Sequence, residues 1–211
     1  MADNYLEKKM EQHASLIKTT AGKTKSNLMS LLEKNRSTRD YDNSFTVRTD
    51  QLQRIVAVNT RVASARNAQP LRFRIVTHDE AHNVLPYIKM GAALTQTKLP
   101  QEGKEPNAFI VVCSIKEART STYIDLGISA QSMLLQATEI GLNGVCIMSL
   151  DKEKITKELS LPYETLLIVA IGKSAEKIQI VDISAEEGHD YYRRDNIHYV
   201  PKLTLDELII D

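Results

Sequence analysis

The stretch Asp125–Asp151, DLGISAQSMLLQATEIGLNGVCIMSLD, decides the fold. Apolar residues recur in it at helical spacing, and no charged residue occurs between Leu126 and Thr138. This pattern predicts a long helix, Tyr123–Gly141, that is apolar on nearly every side. Such a helix is buried at the centre of a domain or lies in a subunit interface. After a glycine-containing turn, the residues Gly144–Ser149 predict a strand.

Segments on both sides of this stretch predict further strands and helices. The run AFIVVCSI predicts a buried strand, Ala108–Ile115, and Leu166–Ile171 has the same character. Alternating apolar and arginine residues over Leu71–Ile75 predict a strand with one solvent-exposed face. Helices are predicted to begin near Asp50, as N-cap, and over Asp151–Ser160. Because helices and strands alternate, we expect a sheet of four or five strands with helices on both faces.

The two ends of the chain differ from this central part. We interpret residues 1–30 as a helical arm on the surface or on a partner subunit, and residues 31–211 as a single domain. Residues 91–107, with two glycines and two prolines, predict a loop and are the candidate substrate lid. An acidic tail with several tyrosines ends in a predicted short helix, Leu205–Ile209.

Composition excludes several classes of protein. The 211 residues include 27 Lys and Arg and 27 Asp and Glu, and this zero net charge argues against general nucleic-acid binding. With 42% hydrophobic and 26% charged residues, the chain predicts a globular protein, and no apolar run approaches the roughly 20 residues that cross a bilayer. Cys113 and Cys146 lie in apolar runs and are expected to be buried, reduced thiols. Since the N-terminus also lacks the apolar core of a secretory signal, we expect a cytoplasmic location without membrane attachment.

Charge is unevenly distributed along the sequence. Residues 35–74 hold eight arginines and three aspartates, whereas residues 151–211 carry a net charge of −5. A local excess of arginine favours a small phosphorylated ligand. The alternative is a structural domain in which these arginines pair with the acidic C-terminal part.

Common catalytic and metal-binding motifs are incomplete. Gly172-Lys173-Ser174 imitates the end of a phosphate-binding P-loop, but the glycine required five residues earlier is Leu167. His78 and His82 lack the glutamate of a zinc protease and are interpreted as surface histidines. No GxGxxG or GxSxG motif occurs. We therefore predict no catalytic side chain of the hydrolytic type and no metal site.

Two short motifs remain as candidate binding elements. In RSTRDY, Arg36 and Arg39 offer planar guanidinium groups suited to phosphate, and Ser37 and Thr38 add hydroxyl donors. The alternative is a helix C-terminus carrying cations that the helix dipole favours. In SARNAQP, residues 64–70, the amides of Asn67 and Gln69 can bind a heteroaromatic edge with alternating donors and acceptors. The alternative there is an ordinary polar loop.

Together these motifs resemble the FMN-dependent nitroreductase family. RSTRDY is similar to its R-S-x-R-x-(Y/F) element, and SARNAQP to its S-x-x-N-x-Q-P element. Asp125–Asp151 resembles the core helix, turn and strand of the family, and HYVPKLTLDELI, His198–Ile209, resembles its closing segment. The resemblance runs from about residue 34 to residue 210 in the family's order. Leu71, where the family often has an aromatic residue, and the absence of a glycine near Met148 are departures that affect the lining of the flavin pocket.

This resemblance implies a fold, an assembly and a set of site residues. It implies an α+β fold with a central, mostly antiparallel sheet of four to five strands flanked by helices, and an intertwined homodimer with FMN between the subunits. Either Arg194 or Lys202 of the tail would add a cation to the phosphate. The other cofactor-binding residues would be Arg36, Ser37, Thr38, Arg39, Asn67, Gln69, Met148 and Ser149.

The resemblance also implies a reaction. NADH or NADPH would give a hydride to flavin N5, and a nitroaromatic, quinone or similar small-molecule acceptor would then take the electrons in a ping-pong exchange. In a flavoenzyme the cofactor performs this step, which agrees with the absence of a catalytic motif. The alternatives are a flavin-dependent dehalogenase or flavin-cleaving enzyme on the same fold, and a non-catalytic FMN-binding protein.

Overall fold

The computed structural model describes residues 27–91 and 99–210. Short 3₁₀ segments, Val58–Thr60, Ala65–Asn67, His78–Asn83 and Leu85–Tyr87, connect some of its elements. The α-helices of this part are α1 (Asn27–Lys34), α2 (Thr49–Ala57), α3 (Thr120–Glu139), α4 (Lys152–Glu158) and α5 (Leu205–Leu208).

The main sheet is antiparallel throughout and has the order β1-β2-β4-β3. Its strands are β1 (Leu71–Val76), β2 (Ala108–Ser114), β3 (Asn143–Ile147) and β4 (Glu164–Gly172). The predicted α+β class and the mostly antiparallel sheet are therefore confirmed.

Strand β2 explains why the sequence contains an uninterrupted apolar run there. All seven of its residues are buried, because helices cover both faces of the sheet. Ile110 and Val112 pack with α2 and α3, whereas Phe109 and Val111 pack with the side of the sheet that α4 covers. Burying each such side chain contributes about 1.5–3 kcal/mol, so the centre of the sheet is the most stable part of the fold.

The C-terminal part forms a second, smaller sheet that the sequence patterns did not predict. Strands β5 (Lys177–Ile183), β6 (Tyr192–Arg194) and β7 (Ile197–Leu203) have the order β5-β7-β6. β5 and β7 are parallel, and β6 and β7 are antiparallel. The predicted terminal helix is present as α5. Within the described part of the chain, no helix is long and apolar enough to cross a membrane.

Helix α3 has the predicted position but is not buried on every side. Met133 and Ala137 lie in the core, whereas Tyr123, Ile124 and Ile128 are exposed. These three residues form an apolar stripe on the outer face of the helix, which we call the α3 stripe.

Some predicted boundaries also differ from the structure. The N-cap of α2 is Arg48, and Asp50 instead forms an ion pair with it. Asp151 does cap α4, since its side chain accepts a hydrogen bond from the Lys154 N–H. Of the predicted arm, residues 1–26 lie outside the described residues, as do residues 92–98 of the candidate lid.

Candidate functional site

The RSTRDY segment lies in extended conformation beside the edge strand of the main sheet. Ser37 forms a parallel bridge with Gly144 of β3, and the Thr38 N–H donates to the Gly144 carbonyl at 3.2 Å. Gly144 is also required for the close packing of β3 on β4, because a Cβ atom there would lie 2.2 Å from the Ala170 carbonyl oxygen. In an extended segment alternate residues face opposite ways, so Thr38 is fully buried while Ser37 is exposed.

A cavity of about 440 Å³, which we call the cationic cavity, opens where this segment, α3, β3 and the small sheet meet. Three of its lining residues are cations, Arg36, Arg39 and Lys202, and no carboxylate of the described residues lines it. Its other lining residues are Asn35, Ser37, Gln131, Leu134, Gly144, Val145, Cys146, Ile178, Tyr191, His198 and Val200.

Neither motif arginine is paired with a carboxylate side chain within the described residues. The Arg36 guanidinium donates to the Leu32 carbonyl at 2.6 Å, and its Nε is buried without a hydrogen-bond partner there. Burial lowers the pKa of Arg36, which means that its cationic form is short of compensation. Arg39 donates to the Ser37 carbonyl at 3.1 Å and lies 5.3 Å from the centre of the Tyr191 ring. Both arginines thus retain the capacity to bind an anion.

A buried ion-pair network joins the small sheet to the RSTRDY segment. Arg193 of β6 contacts Asp40 at 3.4 Å and also binds Glu176. Glu176 in turn accepts the backbone N–H of Arg39 at 2.6 Å. This network places the neighbouring strand β7 so that Lys202 lines the cationic cavity. Arg194 does not line it; its side chain is 78% exposed and pairs with Asp195.

The lining residues that were not predicted from the sequence as site residues include Tyr191, His198 and Cys146. His198 is 4% exposed, its Nδ1 has no partner among the described residues, and its ring meets Tyr191 edge-on at 5.2 Å. Burial, followed by the charges of Arg193 and Arg39, lowers the pKa of His198 to about 4. Cys113 and Cys146 are both free thiols, but the prediction that both are buried is wrong, because Cys146 is exposed to the cavity.

The SARNAQP loop lies in a different part of the structure from the cationic cavity. Its Gln69 lines a second, smaller hollow together with Ser64 and Asp125, and does not line the cationic cavity. The Gln69 amide donates to the Asn67 side-chain oxygen at 3.0 Å. Asn67 and Gln69 have φ values of 54° and 45°, and Arg66 has 54°. Three non-glycine residues in the left-handed region cost of order 1 kcal/mol or more each, so other contacts must hold this loop.

Met148 and Ser149 follow β3 directly and are both exposed, with Met148 at 66%. The Ser149 carbonyl accepts the Lys89 N–H at 2.8 Å, which fixes the backbone after the strand. The structure therefore brings Arg36, Ser37, Arg39 and Lys202 together in one chain. Asn67 and Gln69, like Met148 and Ser149, lie outside the cavity, and Thr38 is turned into the core, where its hydroxyl bonds Ser174 at 3.1 Å.

Gly172 of the incomplete P-loop motif occupies a structural position, and His78 and His82 of the incomplete zinc motif are exposed, as predicted. Gly172 is required by packing, since a Cβ atom there would lie 2.5 Å from the Tyr41 ring. His78 and His82 lie together in a 3₁₀ segment. Among residues 27–91 and 99–210, no group of three His, Cys, Asp or Glu side chains is placed to hold a metal ion.

A cavity that three cations line, and that no carboxylate of the described residues lines, is chemically suited to an anionic group such as a phosphate. Comparison with known proteins gives the family: the profile described as the Nitroreductase family matches residues 32–173, about two thirds of the chain. The chain belongs to the Nitroreductase family. No curated protein sequence matches it.

Solved structures with the same fold come from several bacteria. A nitroreductase family protein from Streptococcus pneumoniae TIGR4 is 17% identical, with 88% of this chain and 100% of that chain covered and a TM-score of 0.61. An FMN-dependent nitroreductase from Clostridium difficile R20291 is 24% identical over 71% and 88%, with a TM-score of 0.58. A protein described as a nitroreductase, from Exiguobacterium sibiricum 255-15 and in complex with FMN, is 16% identical over 73% and 91%, also with 0.58. At these identities the likeness concerns the fold, and it confirms the predicted nitroreductase-like fold.

Proposed function

We propose that this protein is an FMN-dependent oxidoreductase that takes electrons from NADH or NADPH and reduces nitroaromatic, quinone or similar electron-poor acceptors. The observation that carries the proposal is the cationic cavity, in which two arginines and one lysine meet without a neutralising carboxylate among the described residues. Family membership and the fold shared with an FMN-dependent nitroreductase support the choice of FMN.

The residues of the cavity fit the phosphate of FMN. The buried Nε of Arg36 and the backbone-bonded guanidinium of Arg39 supply donors, and Lys202 adds a third charge. Ser37 offers an exposed hydroxyl beside them. Because Thr38 is buried and Arg194 lies outside the cavity, we assign the phosphate to Arg36, Ser37, Arg39 and Lys202 alone.

When bound, FMN supplies the redox chemistry, accepting a hydride from the nicotinamide and passing electrons to the acceptor. The chain's own residues bind and orient it. Arg39 would compensate negative charge on the cofactor, and the amides of Asn67 and Gln69, which are hydrogen-bonded to each other, would hold its ring. Met148 and Ser149 would line the side from which a substrate approaches, and the Lys89 N–H fixes the Ser149 backbone there.

A homodimer completes this site in our proposal. Asp125 of α3 lines the hollow beside the SARNAQP loop, and Leu134 of the same helix lines the cationic cavity. The two residues lie about 13 Å apart along the helix, at 1.5 Å per residue. The α3 stripe, which begins beside Asp125 and extends to Ile128, is apolar and exposed, as interfaces are. A second copy packed on that stripe would bring the loop of one subunit to the cavity of the other. We also propose a cytoplasmic location, which agrees with two free thiols.

Purification and reconstitution test the proposal against its alternatives. The protein is expected to bind FMN more tightly than riboflavin, because riboflavin lacks the phosphate that the cationic cavity would hold. A yellow protein that NADH and NADPH both leave unreduced would instead be a flavin-binding protein. A protein that stays colourless after FMN is added would contradict the proposal altogether.

A further inference from the structure

Helix α3 contains a buried carboxylate in an otherwise uncharged setting. Asp125 is 4% exposed, and no other charged residue occurs in α3 before Glu139. Within the described residues no cation pairs with it, although burying a charge is costly unless it is compensated. Its compensation comes from the SARNAQP loop: Oδ2 accepts the Ser64 hydroxyl at 2.7 Å, and Oδ1 accepts the Ala65 N–H at 2.8 Å.

Ser64 extends this contact to the other end of the loop. Its Oγ accepts the backbone N–H of Gln69 at 3.0 Å while it donates to Asp125. A chain of hydrogen bonds, Asp125 to Ser64 to Gln69, therefore closes the loop. The residues enclosed by it include those with positive φ, which is a conformation that they do not adopt without such support.

The outward-facing part of the loop carries the side-chain amides of Asn67 and Gln69. Among the described residues, these amides hydrogen-bond no side chain outside the loop. Asn67 and Gln69 are both exposed, and the side-chain amide of Gln69 bonds only Asn67 there. A polar pair that is exposed, strained in its backbone and tied to a buried charge is preorganised for a ligand. Packing of the core does not by itself require a strained backbone conformation at Asn67 and Gln69.

We propose that Asp125 is a positioning residue, which holds the loop 64–69 so that the amide pair of Asn67 and Gln69 is preset for the flavin ring. This inference rests on the proposed function. It assigns a binding role to a buried residue that touches neither cofactor nor substrate. Asp125 acts on Gln69 through Ser64, whose hydroxyl is hydrogen-bonded to both residues.

A double-mutant cycle on FMN affinity tests the proposal. Asp125→Ala is expected to raise the Kd for FMN at least about tenfold, with Asp125→Asn in between because it keeps one acceptor oxygen. Gln69→Ala is expected to cost about tenfold in the natural background but less than about twofold in Asp125→Ala, because the loop has already lost its preset conformation. If Asp125→Ala fails to fold, Ser64→Ala replaces it in the cycle with Gln69→Ala. Ser64→Ala breaks the same chain of hydrogen bonds without altering helix α3.

Thr122→Ala is the matched control. Thr122 is 7% exposed on the same helix, its hydroxyl accepts the Arg119 N–H at 3.2 Å, and it lines neither the hollow beside the loop nor the cationic cavity. Its Kd for FMN is expected to stay within about twofold of the unmodified protein. Independent, multiplying losses for Asp125→Ala and Gln69→Ala, or an effect of Asp125→Ala no larger than that of the control, would overturn the positioning role alone. Failure of the unmodified protein to bind FMN would overturn the proposed function and this inference together.

Discussion

Arg36 and Arg39 are held by backbone carbonyl groups, and this arrangement distinguishes a binding role from a structural one. Arginines that only balanced the acidic C-terminal part would contact carboxylates, as Arg193 does with Asp40 and Glu176. The guanidinium groups of Arg36 and Arg39 instead bond the carbonyls of Leu32 and Ser37. Their charge is therefore available to a ligand phosphate.

Arg39→Ala is expected to weaken FMN binding about 10- to 100-fold and to slow reduction of the bound flavin, because charge-assisted hydrogen bonds contribute about 1.5–3 kcal/mol. Equilibrium dialysis and the rate of reduction by NADH measure the two effects. Arg48→Ala, which removes an exposed arginine paired with Asp50, is the control and is expected to change neither. Retention of both properties in Arg39→Ala would show that Arg39 has no role at the cofactor.

His198 predicts a pH dependence of stability. Its pKa is near 4 in the folded protein and about 6.5 when unfolded, so the unfolded chain binds more protons between these values. The stability that comes from keeping this residue neutral is fully present above pH 6.5 and is lost as the pH falls toward 4. At pH 5 the loss amounts to about 2 kcal/mol relative to pH 7.

Urea unfolding of the cofactor-free protein and of His198→Gln measures this contribution. The unmodified protein is expected to lose more of its free energy of unfolding between pH 7 and pH 5 than the variant, by about 2 kcal/mol. Equal losses in the two proteins would mean that His198 titrates normally in the folded state.

At the level of elements, the close approach of β3, which the RSTRDY segment bridges, to β4 depends on Gly144. A methyl group there would overlap the Ala170 carbonyl of β4, and neither backbone can yield without breaking the sheet. Gly144→Ala is expected to lower the free energy of unfolding by about 3 kcal/mol and to weaken FMN binding, since Ser37 is displaced. Chemical denaturation and FMN titration measure the two effects.

Gly188→Ala is the control for this substitution. A Cβ atom at Gly188 meets no other described atom within 4 Å, so the stability of this variant is expected to change by less than about 0.5 kcal/mol. A Gly144→Ala protein as stable as Gly188→Ala would contradict the close approach of β3 to β4 at this position.

Sequence patterns predict the main sheet well because its central strands, β2 and β4, are buried on both faces. Ala108–Ser114 and Glu164–Gly172 are continuous apolar runs, and the uncharged stretch of α3 is equally distinct. The small sheet is different: β5 and β7 are only partly buried and lie in an acidic, tyrosine-containing segment. The small sheet is joined to the RSTRDY segment by the ion pairs of Arg193, which sequence spacing does not reveal.

The contrast between local sequence patterns and contacts between distant segments also explains which site residues could be predicted. Arg36, Ser37 and Arg39 stand in a contiguous motif, and so are recognisable in sequence. His198 and Tyr191 join the cavity only because the small sheet folds over it. The choice of Lys202 over Arg194 likewise follows from their positions on β7 and β6, and not from either residue type.

For the whole molecule, the α3 stripe carries the proposal of a dimer. Ile124 is 58% exposed on a helix whose other face is the centre of the core. Ile124→Glu is expected to shift the protein from dimer to monomer and to reduce FMN binding, because the loop and the cavity would no longer meet. Sedimentation equilibrium measures the change.

Tyr163→Glu is the control, since Tyr163 is also an exposed apolar residue, at 40%, but lies outside α3. It is expected to remain dimeric. An unmodified protein that sediments at the mass of one chain, 23.7 kDa, would contradict the composite site.

The net charge of zero conceals a local anion site. Arg48 and Arg54 are neutralised nearby by Asp50 and Glu139, and Arg74 by Glu80. Arg36 and Arg39 are not neutralised in this way within the described residues, and with Lys202 they concentrate positive charge in one cavity. The proposed FMN phosphate supplies the missing negative charge.

Anaerobic titration of the FMN-loaded protein with NADH, and separately with NADPH, tests the central claim most directly. Our account predicts that at least one nicotinamide abolishes the absorbance of oxidised flavin in stoichiometric amounts, and that a nitroaromatic or a quinone then restores it without oxygen. If FMN is bound but neither nicotinamide reduces it, the protein is a flavin-binding protein and the proposed oxidoreductase activity is wrong.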